Sequence, residues 1–547
     1  MDLFLASIAF GSYISIIKFI VFIAAFIAWL PLVSWIHNDS KPLDINTMVW
    51  SVAILCTGAI GILVWLLIPI YIAGLLLFAV MVGTVSLIYI KQRNVMVLEV
   101  DRVLTIDHIK SIFVSHEKKL QSLQGFTFIT ANKNDVPIPE PRTTDFFGYK
   151  TVYELIKDAS WRRASTVVLS PTPQDYQIAY SIDGSITKQP SIPRDQAEYF
   201  LTFIKHLSDL DVNEKRKPQK GVFRVHRNDV KKDAVWEVVT AGSTAGEQVR
   251  LKKITQEDPM KVDMLGLMPE QLELLNSLKQ RKQGLFVISG PEKSGLSTTL
   301  YAMLRNHDAF MNSINTLEKQ TSEPLQNITQ NTFTLTDTGS TTYAKKLLSI
   351  VRMGSDVLGV SDCEDAETAR VACTAAKDGS IVYLVMRADS VVQALNKLMK
   401  YVGDSNLLAH SLMCITNQRL IRKLCDTCKE AYAPDKEMLR KFNISAEKTK
   451  ALYRAGKVVY DKKGKPSTCE HCQGTGYYER TGVFEMIGIN SELAKVIQTQ
   501  PIQDIAKQFR RAKMLYLQEQ MLRRVIAGTT TINEMIGVLQ PKNKQAK

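Results

Sequence analysis

A disulfide framework is the first thing this chain lacks. Of its eight cysteines in 547 residues, four form two Cys-x-x-Cys pairs, and Cys56, Cys363, Cys373 and Cys414 lie singly. That pattern excludes a disulfide-stapled scaffold and points to a reducing compartment and a bound metal. Charge is absent locally: from Met48 to Ile90 no charged residue occurs. Neither an arginine-rich stripe nor an aromatic-interleaved basic run accompanies the net charge of +14, so nucleic acid is not an expected partner. The basic balance fits a soluble domain beside an anionic leaflet, where each basic residue contributes ~1 kcal/mol. No short internal repeat is apparent. Nor does an export signal read well, because more apolar sequence follows the first apolar run where soluble sequence should begin.

What is present divides in two. Hydrophobic residues make up 46% and charged residues 22%, near globular averages, yet the apolar residues concentrate before residue 92. Phe4 to Ile36 is almost wholly apolar, broken by Lys18 and small polar residues, and exceeds the ~20 residues that cross a bilayer. Met48 to Ile90 is long enough for two spans turning near Pro69. The expectation is therefore a membrane region over 1–94 with about three helices. Lys91 and Arg93 follow the last span, which places the remainder in the cytoplasm and the N-terminus outside. The alternative leaves part of Met1–Ile36 in the interface, with its lysine snorkelling.

Beyond the membrane region the length calls for several domains. Residues 95–149 read as a linker or small adaptor, with Pro137, Pro139 and Pro141 in a polar stretch. Residues 150–255 read as a small α/β domain: a helix carrying Val152, Leu155, Ile156 and Ala159, then strands Thr166–Leu169 and Gln177–Ile182 closing on Asp183-Gly184. A second α/β domain spans 264–540, and 541–547 form a basic tail. In that domain Pro269 and Glu270 open a helix through Leu278, and strand Leu285–Ser289 feeds Gly290-Pro291-Glu292-Lys293-Ser294-Gly295-Leu296-Ser297-Thr298.

This has the glycine spacing of a phosphate-binding loop, with Gly290, Gly295, Ser297 and Thr298 as candidate ligands to ATP and magnesium. The lysine that should follow Gly295 is Leu296, which offers neither charge nor donor. Lys293 is a substitute cation inside the loop. The alternative is a simple strand-to-helix turn. Further on, Cys425-Asp426-Thr427-Cys428 and Cys469-Glu470-His471-Cys472 can close a four-cysteine zinc site with no open position, stapling an inserted hairpin over 425–472. Unmetallated thiols are the alternative, and His471 reads as a solvated loop residue.

From about Val152 to Leu539 the chain resembles the ATPases of type II secretion and type IV pilus assembly. The likeness rests on Gln418-Arg419-Leu420-Ile421-Arg422-Lys423-Leu424-Cys425, Gly474-Thr475-Gly476-Tyr477, Arg480-Thr481-Gly482-Val483-Phe484-Glu485, Leu265-Gly266-Leu267 with Glu270-Gln271-Leu272, and in the smaller domain Ala164-Ser165, Ile182-Asp183-Gly184 and Pro218-Gln219-Lys220-Gly221. Asp365-Ala366-Glu367-Thr368-Ala369 also looks intact. The resemblance implies a small N-terminal-type domain, a RecA-like P-loop domain with the zinc hairpin inserted, and a helical C-terminus. It also implies a homo- or hetero-oligomer, with six members as one ring size, at a bacterial inner membrane with secretion or pilus proteins, including an active ATPase paralogue.

The departures fall on the chemistry. Where the family has glutamate-aspartate-proline, this chain has Glu318-Lys319-Gln320. The family's metal-binding strand reads Asp356-Val357-Leu358-Gly359-Val360, followed by Ser361-Asp362 in place of glycine-glutamate. The histidine box becomes Val385-Met386-Arg387-Ala388-Asp389, losing an imidazole. Expected arginines are replaced at Ser181 and Val222, and Arg352 alone remains. Asp362, Glu318 and Arg352 are then the weakened catalytic candidates, with Asp356 near the cofactor. The expected function is a catalytically degenerate scaffold or regulatory subunit; the alternatives are a slow ATPase and a nucleotide sensor.

Overall fold

The computed structural model describes residues 15–41, 46–96, 103–104, 123, 125–140, 143–227, 233–254, 259–334, 342–445, 449–456, 459–460 and 466–540. About half of the expected linker, the first part of the apolar N-terminal run and the basic tail lie outside these residues.

Three described helices are long and apolar enough to cross a membrane: α1 (Ile16–Ser40), α2 (Thr47–Leu67) and α3 (Tyr71–Met96). Pro69 sits in the short turn between α2 and α3. The helices alternate in direction, so the end of α1, the start of α2 and the end of α3 meet. There Asp39 accepts from Arg93 Nε at 2.6 Å and Tyr89 Oη at 2.7 Å, and His37 Nδ1 lies 2.9 Å from Ser51 Oγ. At the other end the Tyr71 hydroxyl donates to the Lys18 carbonyl at 2.6 Å. Small residues admit the aromatic side chains: Gly58 lies under Trp29, and Gly74 under Trp65.

The next unit is one eight-stranded sheet among the described residues, wholly antiparallel. Its strands are β1 (Phe126–Ile129), β2 (Asp135–Val136), β3 (Thr166–Pro171), β4 (Asp175–Ile182), β5 (Ser185–Pro193), β6 (Gln219–Arg227), β7 (Ala234–Ser243) and β8 (Gly246–Ile254), in the order β2-β1-β6-β7-β8-β3-β4-β5. Alternate residues such as Phe128, Val167, Leu169, Phe223, Trp236, Val249 and Leu251 point to one face. Helices α4 (Thr144–Trp161) and α5 (Arg194–Leu207) cover that face with Val152, Ile156, Phe200 and Ile204.

Two expectations change here. Helices on one side of an antiparallel sheet make an α+β layering, not an alternating α/β one. A boundary at residue 150 would also cut through α4, and β1 already belongs to this sheet: Phe126 stacks on Tyr153 with ring centroids 4.1 Å apart. Proline spacing suggested a linker because β1 and β2 are too short to show a period.

The third unit is a seven-stranded sheet. Helix α6 (Pro269–Lys279) precedes β9 (Gly284–Gly290), α7 (Leu296–Arg305), β10 (Ile314–Glu318), β11 (Thr329–Thr332), α8 (Tyr343–Arg352), β12 (Val357–Val360), α9 (Ala366–Lys377), β13 (Ile381–Arg387), α10 (Val391–Val402), α11 (Ser405–Ser411) and β14 (Leu412–Leu424). A small insertion follows, with β15 (Glu430–Tyr432), α12 (Lys436–Lys441), β16 (Leu452–Arg454), β17 (Val459–Tyr460) and β18 (Pro466–Ser467). The chain returns as β19 (Tyr477–Gly488) and ends in α13 (Ser491–Thr499), α14 (Ile502–Arg511), α15 (Leu517–Ile526) and α16 (Ile532–Leu539).

The sheet order is β11-β10-β12-β13-β9-β14-β19, parallel except for the β14–β19 pair. Both faces are covered, so β9 is buried throughout. Leu285 and Val287 face α8 to α11, α13 and α14, whereas Phe286 and Ile288 face α6 and α7.

Candidate functional site

Parallel strands bring their carboxyl ends to one edge, where open α/β sheets hold ligands. Gly290 ends β9, Glu318 ends β10 with Lys319 after it, Ser361 and Asp362 follow β12, and Arg387 ends β13 beside Gly290. The loop after β9 has the backbone of a phosphate cradle. Lys293 and Gly295 take φ of 64° and 89°, and Gly295 caps α7. Gly290 has no room for a side chain, since a Cβ there would lie 2.4 Å from Ser294 Oγ. Ser297 and Thr298 stand exposed at the start of α7, and Lys293 is exposed on the loop.

Leu296 brings neither charge nor hydrogen-bond donor to the loop. Its Cδ2 folds back to within 3.3 Å of the Cβ position of Gly290, and its side chain packs against the apolar cluster under α7. The position has become a packing residue.

The carboxylates have also found other partners. Lys319 Nζ lies 2.7 Å from Asp362 Oδ2 and 2.7 Å from Glu364 Oε2. Burial penalises the Lys319 ammonium, but its bonds to the two carboxylates outweigh that and raise its pKa above the ordinary lysine value. The same bond from Lys319 holds Glu364 below the usual carboxylate range. Glu318 turns inward: it is buried, accepts from Thr316 Oγ1 at 2.7 Å and Gln330 Nε2 at 3.1 Å, and is bonded by the Tyr301 hydroxyl. At the mouth Arg387 Nη1 lies 3.9 Å from Glu292 Oε2.

Two expected site residues lie elsewhere. Asp356 precedes β12 and accepts from the Ser313 N–H at 2.7 Å, at the amino end of the sheet. At ~3.3 Å per residue it stands about 16 Å from the phosphate-loop edge. Arg352 ends α8 and is exposed, and the chain from it enters the amino end of β12. Strand direction, which the motif alone did not convey, separates both from Asp362.

Strand β14 runs past the loop. Gln418 Nε2 donates to the Ser294 carbonyl at 2.9 Å, and Asn417 Nδ2 to Ser289 Oγ at 2.9 Å and to the Ala388 carbonyl at 3.0 Å. The same strand delivers Cys425, whose N–H donates to the Gly476 carbonyl at 3.0 Å. The sulfurs of Cys425, Cys428, Cys469 and Cys472 all lie within 4.8 Å of one another, with Cys425–Cys469 at 3.9 Å and Cys428–Cys472 at 3.6 Å. Ligands 2.3 Å from a tetrahedral centre are ~3.8 Å apart, so the four thiols are close enough to hold a metal ion.

The thiols differ in their surroundings. Backbone N–H groups of Cys472, then His471, bring the Cys469 thiol down to about 7, while burial pushes Cys428 and Cys472 up. Four thiolates at this spacing need a cation. Gly476 is required here, because at φ 71° its Cβ would meet Ala455 Cβ at 2.4 Å.

Residues 145–537 match the family model described as type II/IV secretion system protein. The chain belongs to the type II/IV secretion system protein family. It is similar to the type IV pilus assembly ATPase PilB of Thermus thermophilus, 27% identical over 403 residues covering 73% of this chain and 44% of that protein. It is also 28% identical over 391 residues to the type II secretion system protein E of Pectobacterium carotovorum, covering 71% and 75%. The solved structure of the Legionella pneumophila ATPase DotB shares the fold, with a TM-score of 0.50 at 14% identity over 73% of this chain and 97% of that one.

In this family member the antiparallel unit and the cysteine hairpin also touch. Arg163, in the turn after α4, donates to the Tyr477 carbonyl at 3.2 Å, to Gln473 Oε1 at 3.3 Å and to Asp183 Oδ2 at 3.4 Å. Its guanidinium lies 4.2 Å from the centre of the Tyr478 ring, on which His471 stacks at 3.9 Å. No sequence period marks this clamp, because Arg163 and its partners on the hairpin are over 300 positions apart. Arg163→Ala is expected to remove about 1–2 kcal/mol of stability, as a lost cation–π contact plus charge-assisted bonds. Metal content should stay unchanged, and hydrogen exchange at Tyr477 and Tyr478 should rise. Unchanged exchange there would show the clamp carries nothing.

Proposed function

We propose that this family member is a membrane-anchored, non-hydrolysing component of a type II secretion or type IV pilus-like machine, serving as a scaffold or regulatory subunit. The observation that carries this is Leu296. The position where a P-loop ATPase needs a cation on the outer phosphates holds an uncharged leucine, partly buried against the apolar cluster under α7. The changes at Arg387 and Asp362 support it, because phosphoryl transfer depends on positioned charge and the imidazole and the longer carboxylate of the family are both gone.

The three apolar helices serve as anchors in a bacterial inner membrane, with the end of α3 and its Arg93 on the cytoplasmic side. The four cysteines hold zinc, whose closed thiolate shell contributes folding energy and no chemistry. Partners are further copies of this chain in a ring-shaped oligomer, an active ATPase paralogue, and inner-membrane secretion or pilus proteins.

The retained loop backbone favours one second reading, a nucleotide sensor that binds without cleaving. The full chain in detergent is expected to show no magnesium-dependent ATP hydrolysis above that of Ser297→Ala. Turnover that Ser297→Ala abolishes would overturn the proposal in favour of a slow ATPase. Nucleotide-induced thermal stabilisation without product would select the sensor.

A further inference from the structure

We infer that Lys319 is the resident cation of this cleft: its tethered ammonium fills the place between Asp362 and Glu364 and closes that carboxylate pair to divalent metal ions. The inference rests on the non-hydrolysing reading and deepens it.

The backbone fixes the placement. Leu317 on β10 is level with Val360 on β12, so Lys319 and Asp362 leave neighbouring strands at the same edge. The ammonium reaches both carboxylates at 2.7 Å, using two of its three donors. Magnesium and manganese need carboxylate oxygens at ~2.1 Å in near-octahedral array, and dehydrate reluctantly. To enter, an ion must first expel a cation that the chain itself holds at a fixed, high local concentration.

The surrounding charge adds no pull. Glu364 also feels Arg387 and Lys397, and Arg387 stands beside Glu292 on the phosphate loop. Lys319, Arg387 and Lys397 thus offset neighbouring carboxylates that include Glu292, Asp362 and Glu364, and Lys293 stands exposed on the same loop as Glu292. A doubly charged ion gains nothing from such a balance. Glu318, at the end of β10, is turned into the core and bonded by Thr316, Gln330 and Tyr301. Magnesium, which the family likeness implies, therefore does not fit the residues present.

Manganese titration of the full chain in detergent, with free ion read by electron paramagnetic resonance and no nucleotide added, tests this. The unaltered chain is expected to bind no manganese that Asp362→Asn removes. Lys319→Met is expected to gain a site about tenfold or more tighter than any in the parent, lost again when Asp362→Asn is added. Lys319→Gln, which keeps a donor without charge, serves if Lys319→Met does not fold, and should show the same gain.

Asp362-dependent binding by the unaltered chain overturns the inference. So does a folded Lys319 variant that gains no site. If the parent binds manganese yet does not hydrolyse ATP, only this inference falls; if it hydrolyses ATP, the function proposed above falls as well.

Discussion

Cys469→Ser is expected to strip zinc from the chain and to unfold the insertion between β14 and β19. Structural zinc contributes on the order of 10–16 kcal/mol in small zinc-binding peptides, where little else holds the chain. The insertion here is similarly poor in regular structure: its strands are two or three residues long and its helix six. It keeps some packing of its own, since Leu452 is buried against Ile421, Val483 and the terminal helices α15 and α16. The expected loss is therefore large but short of the full metal term, and confined to 425–476 while the sheet beneath stays folded.

Zinc content by mass spectrometry and hydrogen exchange across the insertion measure it. An unchanged zinc content would refute the metal site. Exchange should also rise at Arg163, because Gln473 and Tyr478 hold that side chain and sit one and six residues beyond Cys472.

Leu296→Lys is expected to tighten nucleotide binding by about 10–100-fold, the range set by ~1.5–3 kcal/mol for a hydrogen bond to a charged group. The cradle backbone and the start of α7 are already shaped for phosphate. A lysine stem can follow the path of Leu296 over the loop and present its ammonium beyond it. Hydrolysis should still be absent in this variant. Asp362 remains tied to Lys319, Glu318 remains turned into the core, and Arg387 cannot relay a proton as histidine does.

Fluorescent nucleotide binding and phosphate release separate the two claims. Phosphate release by the single variant would mean that the lost lysine was the whole defect. Lys319→Glu added to Leu296→Lys frees Asp362 and restores negative charge, so the double variant is where any turnover should first appear.

Much of the site was legible in the chain itself. Gly290, Gly295 and Ser297 were read from spacing after an apolar strand, and the four cysteines from paired thiols, because both signals are local and their physics acts within a few residues. The apolar helices were legible for the same reason: length and lack of charge are sufficient to define them. Asp356 and Arg352 misled because the motif gave residue types without strand direction, and a parallel strand separates its two ends by its whole length. The start of the antiparallel unit was missed because β1 is held by rings from α4, which follows it in the chain.

The phosphate loop therefore looks different once folded. From its sequence alone this protein determined that Leu296 stands where a cation belongs, that four thiols sit at metal-ligand spacing, and that its first hundred residues are mostly apolar helix. Each depends on residue type and short-range order. Only the tertiary structure decided what the altered residues do instead: Leu296 packs against the apolar cluster under α7, Lys319 binds Asp362 and Glu364, and Arg163 clamps the cysteine hairpin. Those outcomes belong to side chains brought together by the parallel sheet and by contact between two units, and charge and packing act over distances in space that the chain order does not encode.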